Sequence, residues 1–408
     1  MRRPIFLITF FTALALGVVF VLNYFGVFDT TYIFTSGELN SVSSTALLAA
    51  KINPNADIEP QKPLENPPKI INAVYLTSWA AGNKNFVDYA IDLAANTEIN
   101  AVVIDVKDYS GLVAYDTEVE PVDRYNTEEI RISKPNALIK KLHDMRIYAI
   151  ARISVFQDPA LAEARPDLAV QSISAASSTT DVKKLVWRDR KNLAWTDPAS
   201  REVWDYNIAI AKDAAARGFD ELNFDYIRFP SDGNMNDMRF PFWDELVSQS
   251  EIIENFFAYL RSELDGVKIS ADLFGLTTIE KNDMGIGQLI ENAYPYFDFV
   301  APMVYPSHYG HGVLGFENPA ENPYEIVRGS LDSAYARLNA TSTTATSTLP
   351  YIAKLRPWLQ DFSLGVTYNV EKVSAQIRAV RDSLGQDFAG FMLWSPSNKY
   401  TRAALGAE

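Results

Sequence analysis

The chain has 408 residues, enough for one large domain or two average ones, and its hydrophobic content of 48% fits a packed core. The formal net charge of −14 argues against a nucleic-acid partner, because phosphate backbones are bound by clustered Lys and Arg. With no Cys and three His, the sequence excludes disulfides, thiolate metal centres and a Cys nucleophile, and we expect neither a metal nor a cofactor.

The N-terminus has the pattern of a membrane anchor. Arg2 and Arg3 precede an apolar run that begins at Pro4 and continues past an interruption at Asn23. The run is long enough to span a bilayer of roughly 30 Å. Because the two Arg would stay on the cytoplasmic side, we predict a single-pass transmembrane helix within residues 1–28, with the rest of the chain outside the cytoplasm. A cleaved signal peptide is the alternative.

Residues 29–68 show no sustained helical or strand periodicity, and we predict an extended linker there. The stretch Asn53–Lys69 contains five Pro, which favours an extended backbone. Two Ser/Thr-rich stretches, Ser172–Thr180 and Thr341–Thr348, are predicted to be surface loops. The remaining residues, 69–408, are predicted to form one domain.

From residue 70 onward, short apolar runs alternate with longer amphipathic stretches. Eight strands are predicted, at Ala73–Trp79, Ala101–Lys107, Tyr148–Phe156, Glu221–Phe229, Lys268–Leu276, Phe299–Tyr305, Ile352–Trp358 and Gly390–Ser395. Helices are predicted at Asn85–Asn96, Lys134–Met145, Ser200–Arg217, Phe242–Leu264 and Val370–Leu384. This alternation indicates βαβ units and predicts an α/β fold, a (β/α)8 TIM barrel. A doubly wound sheet is the alternative, but no Gly-rich phosphate fingerprint follows the first strand.

Polar and charged residues end most of the predicted strands, where a barrel carries its functional groups. The candidate catalytic residues are Asp105, Asp225 and Asp272. The candidate substrate-binding residues are Trp79, Lys107, Asp108, Arg152, Asn223, Arg228, Tyr305, His308, Trp358 and Trp394. A charge inside a parallel strand is costly unless it is paired, so charges on several strands indicate a functional site. Ion pairs that only stabilise the barrel end are the alternative.

The order of side chains along the strands predicts which of these residues meet. Alternation along each strand places Asp105 on the same face as Lys107, and Asn223 on the same face as Asp225. Asp225 and Asp272 lie at equivalent depths on adjacent predicted strands and could reach one cavity. Paired carboxylates near aromatic side chains indicate glycoside hydrolysis, in which one carboxylic acid protonates the leaving oxygen and the other carboxylate is nucleophile or base. A separation of about 5–5.5 Å would imply retention, and about 6.5–9.5 Å inversion.

Three other interpretations stay open at this point. Lys107 or Lys354 could form a Schiff base, although flanking carboxylates favour a charged Lys107. His308 and His311 could hold a metal, although no Asp partner motif accompanies them. The barrel could also be a non-catalytic module that binds glycans or the cell wall.

Segments at the predicted strand ends match a known family. They are Val74-Tyr75-Leu76-Thr77, Val103-Ile104-Asp105-Val106-Lys107-Asp108 with Gly111, Ile150-Ala151-Arg152, Trp195-Thr196-Asp197-Pro198, Phe224-Asp225-Tyr226-Ile227-Arg228-Phe229-Pro230, Ser270-Ala271-Asp272-Leu273-Phe274-Gly275, Pro302-Met303-Val304-Tyr305-Pro306 and Trp358-Leu359-Gln360-Asp361-Phe362. By these segments the chain resembles the putative glycosyl hydrolase domain family, bacterial TIM-barrel proteins grouped with the glycosidases.

The resemblance covers nearly all of residues 70–404 and implies a barrel with a carbohydrate substrate. Because the predicted anchor places the domain outside the cytoplasm, we expect that substrate to be a cell-surface or extracellular polysaccharide. The chain is similar, more distantly, to α-amylase and α-galactosidase barrels, whose nucleophile is an Asp on the fourth strand. That similarity implies Asp225 as the nucleophile. Asp272, ahead of Asp105, would then be the acid.

Overall fold

The structure, a computed structural model, describes residues 56–344 and 353–406. The predicted transmembrane helix within residues 1–28 and most of the predicted linker lie outside the described residues. Within the described ranges, no helix is both long enough and apolar enough to cross a bilayer.

Parallel strands close into the predicted (β/α)8 barrel. The strands are β1 (Ile71–Leu76), β2 (Ala101–Lys107), β3 (Tyr148–Ser154), β4 (Glu221–Asp225), β5 (Ile269–Phe274), β6 (Phe299–Met303), β7 in two pieces (Lys354–Leu355 and Trp358–Gln360) and β8 (Gly390–Trp394). Each strand pairs in parallel with the next in the chain. The barrel closes where β8 pairs with β1, with Gly390 opposite Ile71.

Helices surround the barrel. They are α1 (Ser78–Ala81), α2 (Lys84–Asn96), α3 (Glu120–Tyr125), α4 (Pro135–Asp144), α5 (Pro159–Ala164), α6 (Ile173–Ala176), α7 (Arg201–Arg217), α8 (Gln249–Glu263), α9 (Ile290–Ala293), α10 (Pro323–Thr344) and α11 (Val370–Leu384). A short antiparallel pair, Gln171–Ser172 with Met238–Arg239, lies outside the barrel. Helix α8 begins later than predicted because the Ser248 side chain accepts a hydrogen bond from the backbone N–H of Glu251 and caps the helix there.

Alternate residues of each strand face two separate cores, as strand geometry requires. The interior of the barrel holds Ile71, Ala73, Tyr75, Ala101, Val103, Tyr148, Ile150, Ala301, Tyr305, Trp358 and Met392. The intervening residues, such as Val74 on β1 and Val102 on β2, pack in the larger core that the helices cover. Both faces of the strands are therefore buried, as in other parallel sheets.

Two strands differ from the prediction for backbone reasons. Strand β4 ends at Asp225 rather than Phe229, because Tyr226 has φ of 53° and turns the chain out of the sheet. Strand β7 is interrupted at Arg356 and Pro357, and proline has no N–H to donate to a neighbouring strand.

The described end of the predicted linker packs against the barrel. Residues 56–68 form neither helix nor strand. The backbone N–H of Gln61 donates to the carbonyl of Arg217 (2.9 Å), and that of Leu64 donates to Asp220 (2.6 Å). Asp57 accepts hydrogen bonds from the backbone N–H groups of Asn136 and Ala137, in the first turn of α4. These hydrogen bonds hold the segment along the surface of the domain.

Replacing Asp57 with Ala is expected to lower the free energy of unfolding by about 1 kcal/mol, the usual loss of a helix N-cap. The residue before α4, Lys134, makes no side-chain cap, and the Asp57 carboxylate bonds Asn136 at 2.6 Å and Ala137 at 3.0 Å. Urea denaturation followed by circular dichroism measures the effect. Glu59→Ala, at a nearby exposed position, is the control and should change stability by less than about 0.5 kcal/mol. Equal losses in both variants would contradict the capping role.

Candidate active site

Carboxyl side chains from three strands surround one arginine, Arg152 of β3, at the carboxyl end of the barrel. Arg152 on β3 donates from Nη1 to Asp105 Oδ1 on β2 at 2.6 Å. Its Nη2 is paired with Asp225 on β4, and its Nε lies 3.6 Å from Asp272 Oδ2 on β5. The structure thus brings the three candidate catalytic carboxylates together around Arg152.

The register of the strands explains why these side chains meet. Asp105 lies directly opposite Arg152, and Asp225 lies opposite Ser154. Phe224 is opposite Ala271, so Asp225 and Asp272, the next residue of each strand, are at the same level. The equal depth predicted for these two carboxyl groups is therefore confirmed.

Three carboxyl groups share this one cation in a buried site. Burial alone would lower the pKa of Arg152, but Asp105 and Asp225 raise it well above its usual value. Burial raises the pKa of Asp272 to about 8, the charge of Asp225 adds to the rise, and Arg152 opposes it. Burial, together with the like charge of Asp225, therefore favours a proton on Asp272 at neutral pH.

Hydrogen bonds hold one oxygen of Asp272 and leave the other open. Oδ1 accepts from Asn223 Nδ2 at 2.8 Å and from Trp358 Nε1 at 2.7 Å. Oδ2 is buried without a hydrogen-bond partner, since its contact with Arg152 is 3.6 Å. A protonated carboxyl group has a donor of its own at that oxygen, which a carboxylate lacks.

Asp225 has a different environment. Its Oδ1 accepts from the backbone N–H of Tyr226 at 2.6 Å, and its Oδ2 is paired with Arg152. The left-handed backbone of Tyr226, rare for an aromatic residue, directs that N–H at the carboxylate. Asp225 also remains more accessible, with 6% of its surface exposed against 1% for Asp272. Both of its contacts are charge-assisted, the kind that suits an ionised carboxylate.

Asp105 is held by a tyrosine that sequence reasoning missed. Tyr75 donates its hydroxyl hydrogen to Asp105 Oδ2, opposite the contact with Arg152. Burial raises the pKa of Asp105, while Arg152 and Tyr75 oppose the rise. Tyr400 accepts from the backbone N–H of Tyr75 at 2.9 Å and fixes the end of β1. Alternation along β1 places Tyr75 on the face that points into the barrel, and this pattern could have identified it from the sequence.

Aromatic rings form a wall on one side of this cluster. Trp394 packs against Tyr75 (6.4 Å between ring centroids), Tyr305 (5.8 Å) and Phe362 (4.9 Å). The exposed His308 extends the wall, 5.3 Å from Tyr305. Three predicted substrate-binding residues, Tyr305, His308 and Trp394, therefore lie together, and Phe362 joins them.

Trp358 and Trp79, two of the predicted substrate-binding residues, differ in their exposure to solvent. Trp358 is 1% exposed, inside the barrel, where its indole N–H supports Asp272. Trp79 is 62% exposed and lies over the guanidinium of Arg131, at 5.0 Å. Arg131 pairs with Asp108 at 2.6 Å, so Trp79 and Asp108 belong to one rim cluster.

Lys107 points away from the carboxylate cluster. The expectation that it shares a face with Asp105 is wrong, because the strand register shifts between the two residues. Lys107 Nζ lies 2.7 Å from Asp158 and 3.1 Å from Asn207 on α7, in a fully buried position. Burial lowers the pKa of this amine, and Asp158 raises it. Lys354, the other lysine considered for a Schiff base, is exposed at the start of β7.

A second buried ion pair lies deeper in the barrel. Arg356 pairs with Glu221, at the start of β4, and both side chains are fully buried. Glu221 also accepts from Ser270 at 2.6 Å, and the Phe299 ring lies 4.0 Å from the guanidinium. On the seventh strand, Arg356 is therefore part of a buried ion pair inside the barrel. This residue fits the alternative that some of the charged residues only stabilise the barrel.

Arg228 lies just beyond β4 in a cage of aromatic rings. Its guanidinium carbon is 4.8 Å from the ring centre of Trp195, 5.5 Å from Tyr226 and 4.5 Å from Phe274. Only 7% of Arg228 is exposed. Burial lowers the pKa of Arg228, in contrast to the raised pKa of Arg152.

In the described part of the chain, no group of three or more His, Asp or Glu is arranged to hold a metal ion. The exposed His311 bonds the backbone carbonyl of Glu317 at 2.6 Å through Nδ1. A cleft of about 660 Å³ opens at the opposite, amino end of the barrel, where Lys69, Asn100 and Arg381 are among its lining residues. Its position excludes it as the cavity of the carboxylate cluster.

A barrel with buried carboxyl groups at its carboxyl end carries the kind of groups that glycoside hydrolysis needs. The chain belongs to the family described as putative glycosyl hydrolase domain, whose sequence pattern matches residues 73–400. The resemblance seen in the sequence is thereby confirmed. The match begins within β1 and extends past β8, so it spans the whole barrel.

The fold is supported by one solved structure with a TM-score above 0.5. The PgaB (BpsB) glycoside hydrolase domain from Bordetella bronchiseptica aligns with 83% of this chain and 99% of its own, at 15% identity and a TM-score of 0.55. A hypothetical protein from Ruminiclostridium thermocellum is 39% identical over 49% of this chain and 96% of its own, with a TM-score of 0.44. An α-galactosidase from Thermus thermophilus aligns with 84% of this chain and 65% of its own, at 12% identity and a TM-score of 0.46. No curated protein matches the sequence.

Proposed function

We propose that the chain hydrolyses glycosidic bonds of a cell-surface or extracellular polysaccharide, with Asp225 as the nucleophile and Asp272 as the general acid. The observation that carries this proposal is the contrast between two carboxyl groups at the same level of adjacent strands. Asp272 is buried and its pKa is about 8, whereas Asp225 is held by an arginine and a backbone N–H. Glycosidases need one protonated and one ionised carboxyl group at the scissile bond.

The proposed reaction follows from these two states. Asp272 gives its proton to the leaving glycosidic oxygen, and an Asp225 oxygen attacks the anomeric carbon from the opposite side of the sugar ring. Asp272, now ionised, takes a proton from the water that releases the sugar from Asp225. Arg152 contacts both carboxyl groups and keeps their positions fixed during this exchange of charge.

Sugar binding is assigned to the aromatic residues around the carboxylates. The rings of Tyr305, Trp394 and Phe362 are near the cluster, and Trp79 is exposed on the rim. Aromatic faces bind the apolar faces of sugar rings. With an anchor helix in residues 1–28, the site would act outside the cytoplasm and near the membrane.

Replacing Trp358 with Phe is expected to raise the pKa of Asp272 further. The indole N–H donates to Asp272 and lowers its pKa, so losing that donor favours the protonated form. The basic limb of the pH profile of kcat/KM should move upward by on the order of one pH unit. Trp204→Phe is the matched control, because the Trp204 indole donates to Pro198 and should leave the limb in place. A limb that moves downward, or equally in both variants, would contradict the assignment.

A glycan panel tests the proposed function against a binding module that has no activity. The purified full-length chain is incubated with bacterial polysaccharides, and new reducing ends are measured beside binding of the same glycans by calorimetry. Hydrolysis of at least one glycan is expected. Binding without any release of reducing ends would support the non-catalytic glycan- or cell-wall-binding barrel instead.

A further inference from the structure

One deeply buried arginine near the active site forms no ion pair with a carboxylate of the described residues. Arg228, Arg261 and Arg356 are each at most 7% exposed. Arg261 pairs with Asp298 at 2.8 Å and Arg356 pairs with Glu221. For Arg228, no carboxylate of the described residues lies within 4.0 Å. A buried cation without a partner is costly, and such a group commonly serves a ligand.

Among the described residues, acceptors bind only one of the three nitrogen atoms of this guanidinium. Nη1 donates to the backbone carbonyl of Phe229 and to Ser231 Oγ, both at 3.0 Å. Nε and Nη2 have no acceptor in the described chain, and neither is among the fully buried polar atoms that lack a partner. That edge of Arg228 therefore keeps contact with solvent. An Nε–Nη2 edge is the planar pair of donors that binds a carboxylate or a phosphate in a bidentate manner.

The aromatic cage holds this edge in place without neutralising it. Trp195 and Phe274 lie 4.8 Å and 4.5 Å from the guanidinium carbon, close enough for cation–π attraction. Ring faces supply no hydrogen-bond acceptor in the plane of the guanidinium. The rings therefore position Arg228 and leave its donor edge for another molecule.

Nearby acids are already engaged by other groups. Asp189 accepts from the backbone N–H of Leu193 at 2.9 Å and from Trp195 Nε1 at 3.1 Å. Asp232 accepts from the backbone N–H of Arg190 at 3.2 Å. These carboxylates stabilise the loops around the cage, and neither forms an ion pair with Arg228.

Arg228 lies at the carboxyl end of the barrel, in the segment that follows β4. Arg228 follows Asp225 by three residues beyond β4, and the caging Phe274 follows Asp272 by two residues at the end of β5. Tyr226, whose backbone N–H bonds Asp225, also forms part of the cage. A sugar bound at the carboxylate pair would therefore have its substituents or its neighbouring residue next to Arg228.

We propose that Arg228 binds an anionic group, a carboxylate or a phosphate, carried by the glycan, so that the enzyme prefers an acidic polysaccharide. This inference rests on the proposed function, because it takes the glycan to be bound at Asp225 and Asp272. Arg228 is a specificity-determining residue here, and it has no part in the bond-breaking step.

Binding of three simple sugars tests the inference. The full-length chain, purified in detergent, is titrated with methyl glucoside, methyl glucuronoside and methyl glucoside 6-phosphate, and affinities are measured by calorimetry at constant ionic strength. We expect at least one acidic sugar to bind about tenfold or more tightly than methyl glucoside, as a charge-assisted bidentate contact provides. The two acidic sugars distinguish a carboxylate site from a phosphate site.

Variants separate the charge of Arg228 from its contacts with the loop. Arg228→Gln should lower the affinity for the acidic sugars to the level of methyl glucoside, because it removes the cation that binds the anionic group. Ser231→Ala removes a loop contact but keeps the cation, and Arg124→Gln removes one exposed positive charge at a distant helix; both should keep the preference. Equal binding of all three sugars by the parent, or a preference that survives Arg228→Gln, would overturn the inference.

Hydrolysis is scored separately from binding. If the parent cleaves neutral glycans and shows no acidic preference, the inference fails and the proposed function stands. If it prefers acidic sugars through Arg228 yet cleaves no glycan, the anionic site stands and the proposed function fails.

Discussion

Replacing Asp225 with Asn should reduce kcat/KM on the cleaved glycan by about 10⁴-fold or more, because an amide cannot form the covalent bond to the anomeric carbon. The shape of the side chain is kept. Arg152 retains its contacts with Asp105 and Asp272, so the cluster should stay assembled. Initial rates of reducing-end release, compared with the parent at equal protein concentration, give the effect.

Asp144→Asn is the matched control for this variant. Asp144 pairs with Lys140 on the exposed face of α4, with 60% of its side chain accessible, and the rate should be unchanged. Circular dichroism and thermal unfolding verify that Asp225→Asn remains folded. A folded Asp225→Asn variant with more than about a tenth of parental activity would remove Asp225 from the reaction.

The second large effect is expected at Asp272. An Asn there cannot donate a proton, so cleavage of a natural glycosidic bond should slow by about 10²- to 10⁴-fold. A p-nitrophenyl glycoside of the same sugar has a leaving group that needs no proton, and its cleavage should be much less affected. Comparing the two substrates therefore separates loss of the acid from loss of the site.

The pH profile gives a second measurement of the same group. Because the pKa of Asp272 is raised to about 8, the acid is protonated below that pH and kcat/KM of the parent should fall as pH rises through it. In Asp272→Asn this basic limb should be absent. An unchanged limb in the variant, or equal losses on both substrates, would assign the acid to another residue, with Asp105 the next candidate.

Stability should respond to the same titration. A carboxyl group whose pKa is higher in the folded state than in the unfolded chain stabilises the fold fully below the unfolded pKa of about 4. For Asp272 that contribution is lost as pH rises towards its folded pKa of about 8. The free energy of unfolding of the parent should therefore decline over this range, and the decline should be smaller in Asp272→Asn.

The barrel could be predicted from the sequence because its signal is repeated. Strand-length apolar runs alternate with amphipathic stretches along the domain, and each repeat supports the others. The depth of Asp225 and Asp272 followed from the same regularity, since neighbouring parallel strands keep a constant register. The fold and the depth of the two carboxyl groups both depend on the regular spacing of residues along strands and helices, and this spacing can be seen in the amino-acid sequence.

Irregular features escaped prediction because they depend on tertiary contacts. The bulge after Asp105 sends Lys107 into the helix layer, where Asp158 neutralises it. The left-handed Tyr226 ends β4 four residues before the predicted boundary at Phe229. No local composition signal marks either position, and both alter which side chains meet.

Helix α10 was also missed. Its sequence, Pro323–Thr344, includes a Gly and a run of small polar residues, so its helical periodicity is weak. The helix packs its apolar side chains, among them Ile326 and Leu331, in the large core. Its last residues cover the start of the Ser/Thr-rich stretch predicted to be a loop, whose remaining residues lie outside the described ranges.

The candidate site combines predicted residues with partners that only the structure revealed. Asp105, Arg152, Asp225 and Asp272 were all candidates by position. The structure adds Tyr75, which donates a hydrogen bond to Asp105, and Arg131, which forms an ion pair with Asp108. The roles of the three carboxyl groups stay predictions, because geometry places them together without ordering the steps.

Trapping the covalent intermediate tests the central claim most directly. The parent is incubated with an activated 2-deoxy-2-fluoro glycosyl fluoride of the sugar that the panel identifies, and the protein is analysed by intact and peptide mass spectrometry. We predict a mass increase of one fluorinated glycosyl unit, located on Asp225 and absent from Asp225→Asn. A label on another carboxyl group, or no label while the parent turns over the natural glycan, would contradict Asp225 as the nucleophile.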